Sequence, residues 1–324
     1  MAILRLAIKS LRNRRGTALL TMAAIAISVA LLLGVQKART AARDGFASTV
    51  SGVDLIVGAR GGPLNLLLYS IFRVGDATAN VSWESYQTIA RHPDVAWTIP
   101  LSLGDSHRGF RVLGTTGAYF EHYRFADARA LTFAAGESFH GLYDAVLGAD
   151  VARALGYRLG DALVISHGLG AAGFAHHDDQ PFRVAGVLER TGTPVDRTVH
   201  VSLEAMTAIH GGHGGHEDAD AHDEHESDDL TPHGITAFLV GMKSRVMTFT
   251  MQRAINEYRG EPLQAVMPGV ALMQLWELTG IADRALMAVA SFVVLAGLLG
   301  MLTAILTGLN ERRREMAILR SVGA

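Results

Sequence analysis

The stretch from Thr17 to Gln36 reads TALLTMAAIAISVALLLGVQ and contains no charged side chain. As a helix it would be about 30 Å long at 1.5 Å per residue, which matches the hydrocarbon thickness of a bilayer. A second uncharged stretch, ALMAVASFVVLAGLLGMLTAILTGL, runs from Ala285 to Leu309. We therefore expect a membrane protein with two transmembrane α-helices, 17–36 and 285–309. The alternatives are a buried core helix for each stretch and a signal peptide for the first.

Basic residues flank both stretches on the sides that face the chain termini. They are Arg5, Lys9, Arg12, Arg14 and Arg15 before the first stretch, and Arg312, Arg313, Arg314 and Arg320 after the second. Because cytoplasmic flanks carry excess Lys and Arg, we expect both termini in the cytoplasm of a bacterial inner membrane. Residues 1–16 also place apolar side chains at helical spacing, which predicts an amphipathic entry helix lying on membrane lipids. An ordinary basic flank is the alternative.

The segment 37–284 between the two stretches is predicted to be one large extracytoplasmic α+β domain with more than one lobe. Runs rich in β-branched and apolar residues predict strands at Val53–Val57, Phe110–Leu113, Ala162–Ser166, Phe182–Leu188 and Val199–Ser202. Helical periodicity predicts helices at Ser82–Ala90, Gly148–Leu155 and Thr248–Tyr258, and a longer one from Val270 toward the second apolar stretch.

Composition excludes several classes of function. A formal net charge of −2 over 324 residues gives no basis for nucleic-acid binding through overall basicity. The absence of cysteine excludes disulfides, thiolate metal sites and cysteine nucleophiles. The glycine-rich run Gly58–Pro63 lacks the lysine and the serine or threonine of a phosphate-binding loop, so it is interpreted as a turn. Neither a GxSxG nor an HExxH motif occurs, and we expect no catalytic activity.

Residues 210–233 read HGGHGGHEDADAHDEHESDDLTPH, with six histidines, eight acidic residues and no lysine or arginine. Such a polar, glycine-rich stretch cannot support a packed core and is predicted to be a mobile loop. Imidazoles and carboxylates at this spacing are ligands for Zn²⁺ or another divalent transition metal. The candidate ligands are His210, His213, His216, His222, His225 and His233, with His176 and His177 from a second cluster. A solvated insertion without a metal role is the alternative.

The chain ends in NERRREMAILRSVGA, Asn310–Ala324. This segment closely resembles the cytoplasmic segment after the second membrane helix of MacB/FtsX-like ABC transporter permeases, the group that includes lipoprotein-releasing permeases and macrolide exporters. The run Gly148–Ala152, the strand Phe182–Leu188 and the run Gly192–Arg197 resemble that family's periplasmic core domain. The resemblance spans nearly the whole chain, and its terminal motif is the most specific part.

The resemblance implies a dimeric or paired permease subunit that works with a separate cytoplasmic ABC ATPase. In the family, the segment after the second helix docks on the ATPase. The residues at matching positions are Glu311, Arg313, Arg314, Glu315 and Leu319, in a coupling segment over 310–324. ATP-driven movement of these segments would change the shape of the outer domain, as a lever does. Alternatively, the basic segment only anchors its end of the helix on the cytoplasmic side of the membrane, as the positive-inside rule describes.

Two further expectations concern the rest of the assembly. Family members continue with two more membrane helices beyond the position of Val322–Ala324, which implies either that this chain is a fragment or that another subunit supplies them. A lipoprotein or other periplasmic partner is expected, while the cargo stays open. The runner-up hypothesis is a membrane-anchored metal-binding or metal-sensing protein that does not depend on ATP. An envelope enzyme is a third, with little support.

Overall fold

The two uncharged stretches of the sequence both lie in long helices. A computed structural model describes residues 15–167, 181–211 and 230–321. Its helices are α1 (Arg15–Ser48), α2 (Pro63–Ser70), α3 (Trp83–Ala90), α4 (Ala118–His122), α5 (Ala149–Leu155), α6 (Leu203–Gly211), α7 (Thr248–Asn256) and α8 (Pro268–Ser321). The helices predicted between the two uncharged stretches are confirmed except at their ends. For example, α7 stops at Asn256, and α8 begins at Pro268. The predicted entry helix of residues 1–16 lies outside the described residues up to position 14, so it stays a prediction.

The strands lie between these helices and include all the predicted ones except Ala162–Ser166. They are β1 (Leu55–Ala59), β2 (Val81–Ser82), β3 (Val95–His107), β4 (Phe110–Thr115), β5 (Arg124–Phe125), β6 (Arg129–Ala130), β7 (Phe133–Gly136), β8 (Asp144–Leu147), β9 (Ala162–Leu163), β10 (Ser166–His167), β11 (Phe182–Leu188), β12 (Thr198–Ser202), β13 (Gly234–Ile235), β14 (Ala237–Met242) and β15 (Leu263–Val266). The expected single strand Ala162–Ser166 is wrong, because β9 pairs with β11 whereas β10 pairs with β3.

The chain divides into two compact units. One contains residues 44–275, and the other contains the described residues up to Arg43 together with those from Trp276 onward. In the second unit, a Cβ added at Gly297 would lie 4.0 Å from the Ser28 hydroxyl, so α8 approaches α1 there. Within the described ranges, none of the helices combines the length and apolar character that a membrane span requires. The spans 17–36 and 285–309 stay predictions.

The unit of residues 44–275 is organised around the long strand β3. In the described residues, the main sheet has the order β15-β1-β14-β3-β4-β12-β8-β11-β7. The first half of β3 pairs antiparallel with β14, from Val95 to Leu101, and the second half pairs with β4 from Ser102 onward. The sheet register shifts between Leu103 and Ser106, which marks a β-bulge. One strand therefore joins two halves of the sheet, and the predicted α+β class is confirmed. Residues 44–275 form one compact unit, so a division into lobes stays a prediction.

Apolar clusters cover both faces of the first half of the sheet. Leu55 and Val57 of β1 pack in one cluster, which also contains side chains of α3 and α7. Ile56 between them packs in another cluster, on the opposite face. Because successive side chains of a strand point to opposite faces, a strand buried on both faces has a continuous apolar sequence. This explains the uninterrupted apolar run of β1.

The second half of the sheet has a cluster of its own, to which α5 and α6 contribute. Val112, Leu147, Val184 and Val201 come from four different strands of this half. The helices add apolar side chains to the same cluster: Val151 and Ala152 from α5, and Ala205, Met206 and Ile209 from α6. Burial of these three side chains fixes α6 against the sheet as far as its last turn. That last turn carries His210.

Two of the sequence motifs meet at Gly148. The carboxylate of Asp196 accepts hydrogen bonds from the backbone N–H groups of Thr191 and Gly192, each at 2.7 Å, and closes a tight turn. A Cβ added at Gly148 would collide with the Val195 carbonyl oxygen and the Asp196 carbonyl carbon of this turn. Glycine is thus required at 148 because backbone packs against backbone, whatever the local dihedral angles.

We expect Gly148→Ala to destabilise the protein by about 1–3 kcal/mol, because neither backbone can move without disturbing the turn. Thermal unfolding of the full chain in detergent measures the effect as a lower midpoint. Gly117→Ala is the matched control, since a Cβ there meets no described atom within 4 Å and the backbone φ is −53°. Equal midpoints for the two variants would contradict this account of Gly148.

Candidate functional site

The histidine-rich stretch begins where α6 ends, at a fixed point of the domain. The hydroxyl of Ser202 accepts a hydrogen bond from the Ala205 N–H at 3.1 Å and so caps the start of the helix. Buried Met206 and Ile209 then hold the helix on the sheet. Ile209 is followed by His210, whose side chain is 45% exposed. The first predicted metal ligand therefore belongs to a packed helix, although it was predicted to be part of a mobile loop.

His210 is held by both of its ring nitrogens. Its Nδ1 lies 2.6 Å from the Met206 carbonyl oxygen, to which it donates a hydrogen bond. Its Nε2 lies 3.4 Å from Oδ2 of Asp105, a carboxylate that is 2% exposed. The hydrogen bond to Asp105 raises the pKa of His210, against the opposing effect of burial. The pair therefore stabilises the fold below about pH 6.5, and this contribution is lost as the pH rises through the raised pKa.

Asp105 lies at the β-bulge of β3 and faces the end of strand β10. In the ladder between β3 and β10, Asp105 is the backbone partner of His167. Residues 168–180, which contain the second histidine cluster, follow directly in the sequence. Each histidine-rich segment of the sequence is thus attached to the described part of the domain next to Asp105, at His167 in one case and at His210 in the other. Bulges commonly occur next to functional sites, where they redirect a side chain.

The other predicted metal ligands are placed only in part. His213, His216, His222, His225, His176 and His177 lie outside the described residues. His233 is exposed, and its backbone carbonyl accepts a hydrogen bond from the Trp83 N–H at 3.2 Å, just before β13. Among the side chains that the structure describes, there is no group of three or more His, Asp or Glu residues that could hold a metal ion. The assignment of these ligands stays a prediction.

Sequence reasoning missed Asp105 because nothing in the sequence links residue 105 to residue 210. The one local signal is a polar run, Gly104-Asp105-Ser106-His107, at the end of an apolar strand. His107, two residues from Asp105, is a structural histidine by comparison. Its Nδ1 lies 2.6 Å from the Val164 carbonyl oxygen and its Nε2 lies 3.0 Å from the Tyr157 hydroxyl. Burial lowers the pKa of His107, which keeps the ring neutral.

The predicted coupling residues lie on the last three turns of α8. The helix runs without interruption to Ser321 and includes the backbone of all five positions. The side chains of Glu311, Arg314, Glu315 and Leu319 lie outside the described residues. Arg313 is exposed, as is Arg320, two helical turns further on and therefore on the same face. Their assignment to ATPase docking stays a prediction.

A polar cluster is buried inside the core of the domain. The ring of His200, which is 0% exposed, lies 5.1 Å from that of Tyr119, and Tyr119 stacks on Tyr123 at 4.9 Å. The Tyr123 hydroxyl donates to the Thr49 carbonyl at 2.6 Å. Within the described residues, His200 Nε2, the Tyr119 hydroxyl and Arg73 Nε are buried without a hydrogen-bond partner. Burial, helped by the positive charge of Arg73, lowers the pKa of His200 to about 3.

Acid should therefore destabilise the protein through His200. Its folded-state pKa lies below the unfolded one, so stability is complete above about pH 6.5 and is lost as the pH falls toward 3. Between pH 7.5 and pH 5 the protonation of this one group lowers the free energy of unfolding by about 2 kcal/mol, at about 1.4 kcal/mol per pH unit. We expect His200→Leu to reduce the difference in unfolding free energy between these two pH values by about that amount.

Urea denaturation of the full chain at both pH values measures this difference. His140→Leu, at a histidine whose side chain is 72% exposed, controls for the loss of an imidazole from the surface. An unchanged difference for His200→Leu would contradict the assignment of the acid sensitivity to His200.

A cavity of about 280 Å³ opens beside this cluster and is lined by Arg73, Arg111 and Asp76, among others. The Arg111 guanidinium lies 2.9 Å from the Asp76 carboxylate and donates to the Gly75 carbonyl at 2.8 Å. Both contacts are within the protein and hold the chain between α2 and β2.

Comparison with known proteins shows which family this sequence matches. The model of the MacB-like periplasmic core domain matches residues 18–258. The periplasmic region of MacB from Actinobacillus actinomycetemcomitans is 11% identical with a TM-score of 0.45, and the match covers 70% of this chain and 94% of that one. The extracellular domain of the noncanonic ABC-type transporter YknZ from Gram-positive bacteria is 13% identical with a TM-score of 0.39, over 65% and 98%. No functionally curated protein matches the sequence.

Proposed function

Because the chain belongs to the family of the MacB-like periplasmic core domain, we propose that it is the transmembrane permease subunit of an ABC transporter complex. The chain itself supplies no ATP-binding motif, so ATP is hydrolysed by a separate cytoplasmic ATPase and the subunit is not an enzyme. The work is done by the outer domain, on the far side of the inner membrane. The family match over residues 18–258 is the observation that carries this proposal.

The form of α8 supports a lever-type mechanism. Its first turns belong to the domain core, in which Ala271 and Leu272 are buried, and the same helix continues to Ser321. A helix resists compression along its axis, because each residue is hydrogen-bonded to the next turn. A force applied to the coupling segment 310–324 would therefore reach the core of the outer domain through one secondary-structure element. The subunit acts as a dimer or pairs with a second permease, and a lipoprotein or other periplasmic partner completes the assembly.

The proposed topology places 17–36 and 285–309 in the membrane lipids of a bacterial inner membrane. The uncharged sequences of these stretches and their basic flanks support this arrangement. Both termini are cytoplasmic, and residues 37–284 are extracytoplasmic.

Single cysteines test this topology without background, since the chain has no cysteine. In intact spheroplasts, a membrane-impermeant maleimide should label Ser244→Cys at an exposed position of the outer domain. It should label Ser321→Cys, at the exposed end of α8, only after permeabilisation. Labelling of Ser321→Cys in intact spheroplasts would contradict the proposed orientation. If neither cysteine is labelled after permeabilisation, the reagent cannot reach them in the folded protein, and labelling after denaturation identifies this case.

Reversing charge at the coupling segment should abolish association with the ATPase. The double variant Arg313→Glu and Arg314→Glu is expected to lower recovery of the ATPase in co-purification by at least tenfold, because a docking surface loses two positive charges and gains two negative ones. The matched control is Arg245→Glu with Arg259→Glu, which makes the same charge change at exposed positions of the outer domain. Undiminished recovery with the first double variant would contradict the docking role, as would no ATPase with the unchanged chain.

The contact between His210 and Asp105 favours a second candidate function, that of a metal-binding or metal-sensing protein which does not depend on ATP. In this proposal the histidine-rich residues 210–233, with His176 and His177, bind Zn²⁺ or a similar ion outside the cytoplasm. The two candidates differ in one observable property. The metal-sensing function predicts a metal-dependent conformational change that charge reversal at 313 and 314 leaves intact.

A further inference from the structure

We propose that the cavity beside the buried polar cluster binds a small organic carboxylate, a molecule with one carboxylate group and an apolar body. The cavity has a volume of about 280 Å³ and lies between α2, the chain that follows α2, and the bulge of β3. A site of this kind goes beyond the proposed function, since it depends on neither an ATPase nor a metal ion. Three features of the cavity wall support a carboxylate: a surplus positive charge, an unpartnered hydroxyl and an apolar part.

Among the described residues, the wall of the cavity carries one more positive charge than negative. Its charged side chains are Arg73, Arg111 and Asp76. The Arg111 guanidinium is paired with the Asp76 carboxylate at 2.9 Å. No described carboxylate forms a salt bridge with Arg73, whose Nη1 donates to the Ser70 carbonyl and whose Nε is buried without a partner. A charge withdrawn from water is unfavourable unless an opposite charge accompanies it, so the surplus matches a singly charged anion.

Tyr69 supplies a hydroxyl that the described part of the protein leaves without a hydrogen bond. The residue lines the cavity and is only 3% exposed, and a buried tyrosine hydroxyl usually has a partner. A Cβ added at Gly58 would lie 2.6 Å from this hydroxyl, so the backbone of β1 packs directly against it. Burial raises the pKa of Tyr69 to about 12, so the hydroxyl keeps its proton. It is therefore a fixed donor for a carboxylate oxygen.

Part of the wall is apolar, which favours an organic ligand over an inorganic ion. Leu103 and Ala77 line the cavity with apolar side chains. Thr236 lines it too, but its hydroxyl is already used by the backbone of Leu103, whose N–H donates to it at 2.9 Å and whose carbonyl accepts from it at 3.2 Å. Ligand pockets typically have volumes of about 300–1,000 Å³, with mostly apolar walls and a few polar groups that orient the ligand. This cavity therefore suits a small molecule.

Both guanidinium groups are held in place by the protein before a ligand binds. Arg111 donates to the Asp76 carboxylate and, at 2.8 Å, to the Gly75 carbonyl, and Arg73 donates to the Ser70 carbonyl. These bonds tie the two side chains to the end of α2 and to the chain that follows it. Side chains that are already ordered lose little entropy on binding. A bound carboxylate would in turn hold this part of the chain in its folded position.

The test uses the full chain in detergent, with benzoate as the probe and benzamide as its uncharged counterpart of nearly the same shape. Benzoate should bind saturably in ligand-detected NMR and should raise the thermal midpoint, because a ligand that binds only the folded state stabilises it. Benzamide should bind at least tenfold more weakly, since it lacks the negative charge. Inorganic phosphate at about pH 8, where most of it is doubly charged and none of it is apolar, should also bind more weakly than benzoate.

Each probe can contradict the proposal. Absence of saturable benzoate binding would overturn the site itself. Benzamide binding as tight as that of benzoate would overturn the role of the surplus charge, and phosphate binding tighter than that of benzoate would overturn the assignment to an organic carboxylate. None of these outcomes bears on association with the ATPase, so the proposed function stands or falls separately.

Substitutions then assign the binding to this cavity. Arg73→Gln should weaken benzoate binding by at least tenfold, and Tyr69→Phe by about three- to tenfold, the effect of one hydrogen bond. Asp76→Asn should strengthen it, because Arg111 loses its carboxylate and the wall gains a second surplus charge. The matched control is Arg253→Gln, at a side chain that is 79% exposed and does not line the cavity, and it should leave binding unchanged.

The gain expected from Asp76→Asn keeps the test decisive, because damage to the fold would not increase affinity. Thermal midpoints measured without benzoate show whether the other variants are folded. Benzoate binding that Arg73→Gln leaves unchanged would overturn the proposal, as would binding that Asp76→Asn leaves unchanged or weakens.

Discussion

The pairing of β3 with different partners along its length is the constraint on which the outer domain depends. One half of this strand completes the sheet of β1, β14 and β15, and the other half begins the sheet of β4, β12, β8 and β11. Just after the change of partner, the register between β3 and β4 shifts between Leu103 and Ser106, and Asp105 lies in that bulge. The strand that joins the two halves of the sheet therefore also carries a buried carboxylate, within reach of His210 in the last turn of α6.

Function in this protein is divided between places far apart in the sequence. The outer domain carries the family assignment and the contact between Asp105 and His210, while the basic end of α8 carries the proposed docking to an ATPase. α8 is the element common to both, since it begins in the domain core at Ala271 and Leu272.

Much of the fold was predictable where local sequence decides local structure. Ser82 caps α3 through its hydroxyl, and the apolar run of β11 from Phe182 to Leu188 predicted a strand that the sheet confirms. β3 was not predicted, because Pro100 and Gly104 interrupt its pattern. Pro100 faces Phe238 of β14 and precedes the β4 ladder, which begins at Ser102, so its missing N–H removes no bond from the β4 ladder. The contact of His210 with Asp105 was unpredictable for another reason, since it joins residues that only tertiary packing brings together.

The central claim is that ATP acts on this subunit from the cytoplasm and changes the domain outside. Hydrogen–deuterium exchange of the complex with its ATPase, measured with and without a non-hydrolysable ATP analogue, tests this most directly. The account predicts a change in amide protection within residues 44–275, largest where α8 enters the core near Ala271 and Leu272. Identical protection of this whole range in both states, with the nucleotide bound, would contradict it.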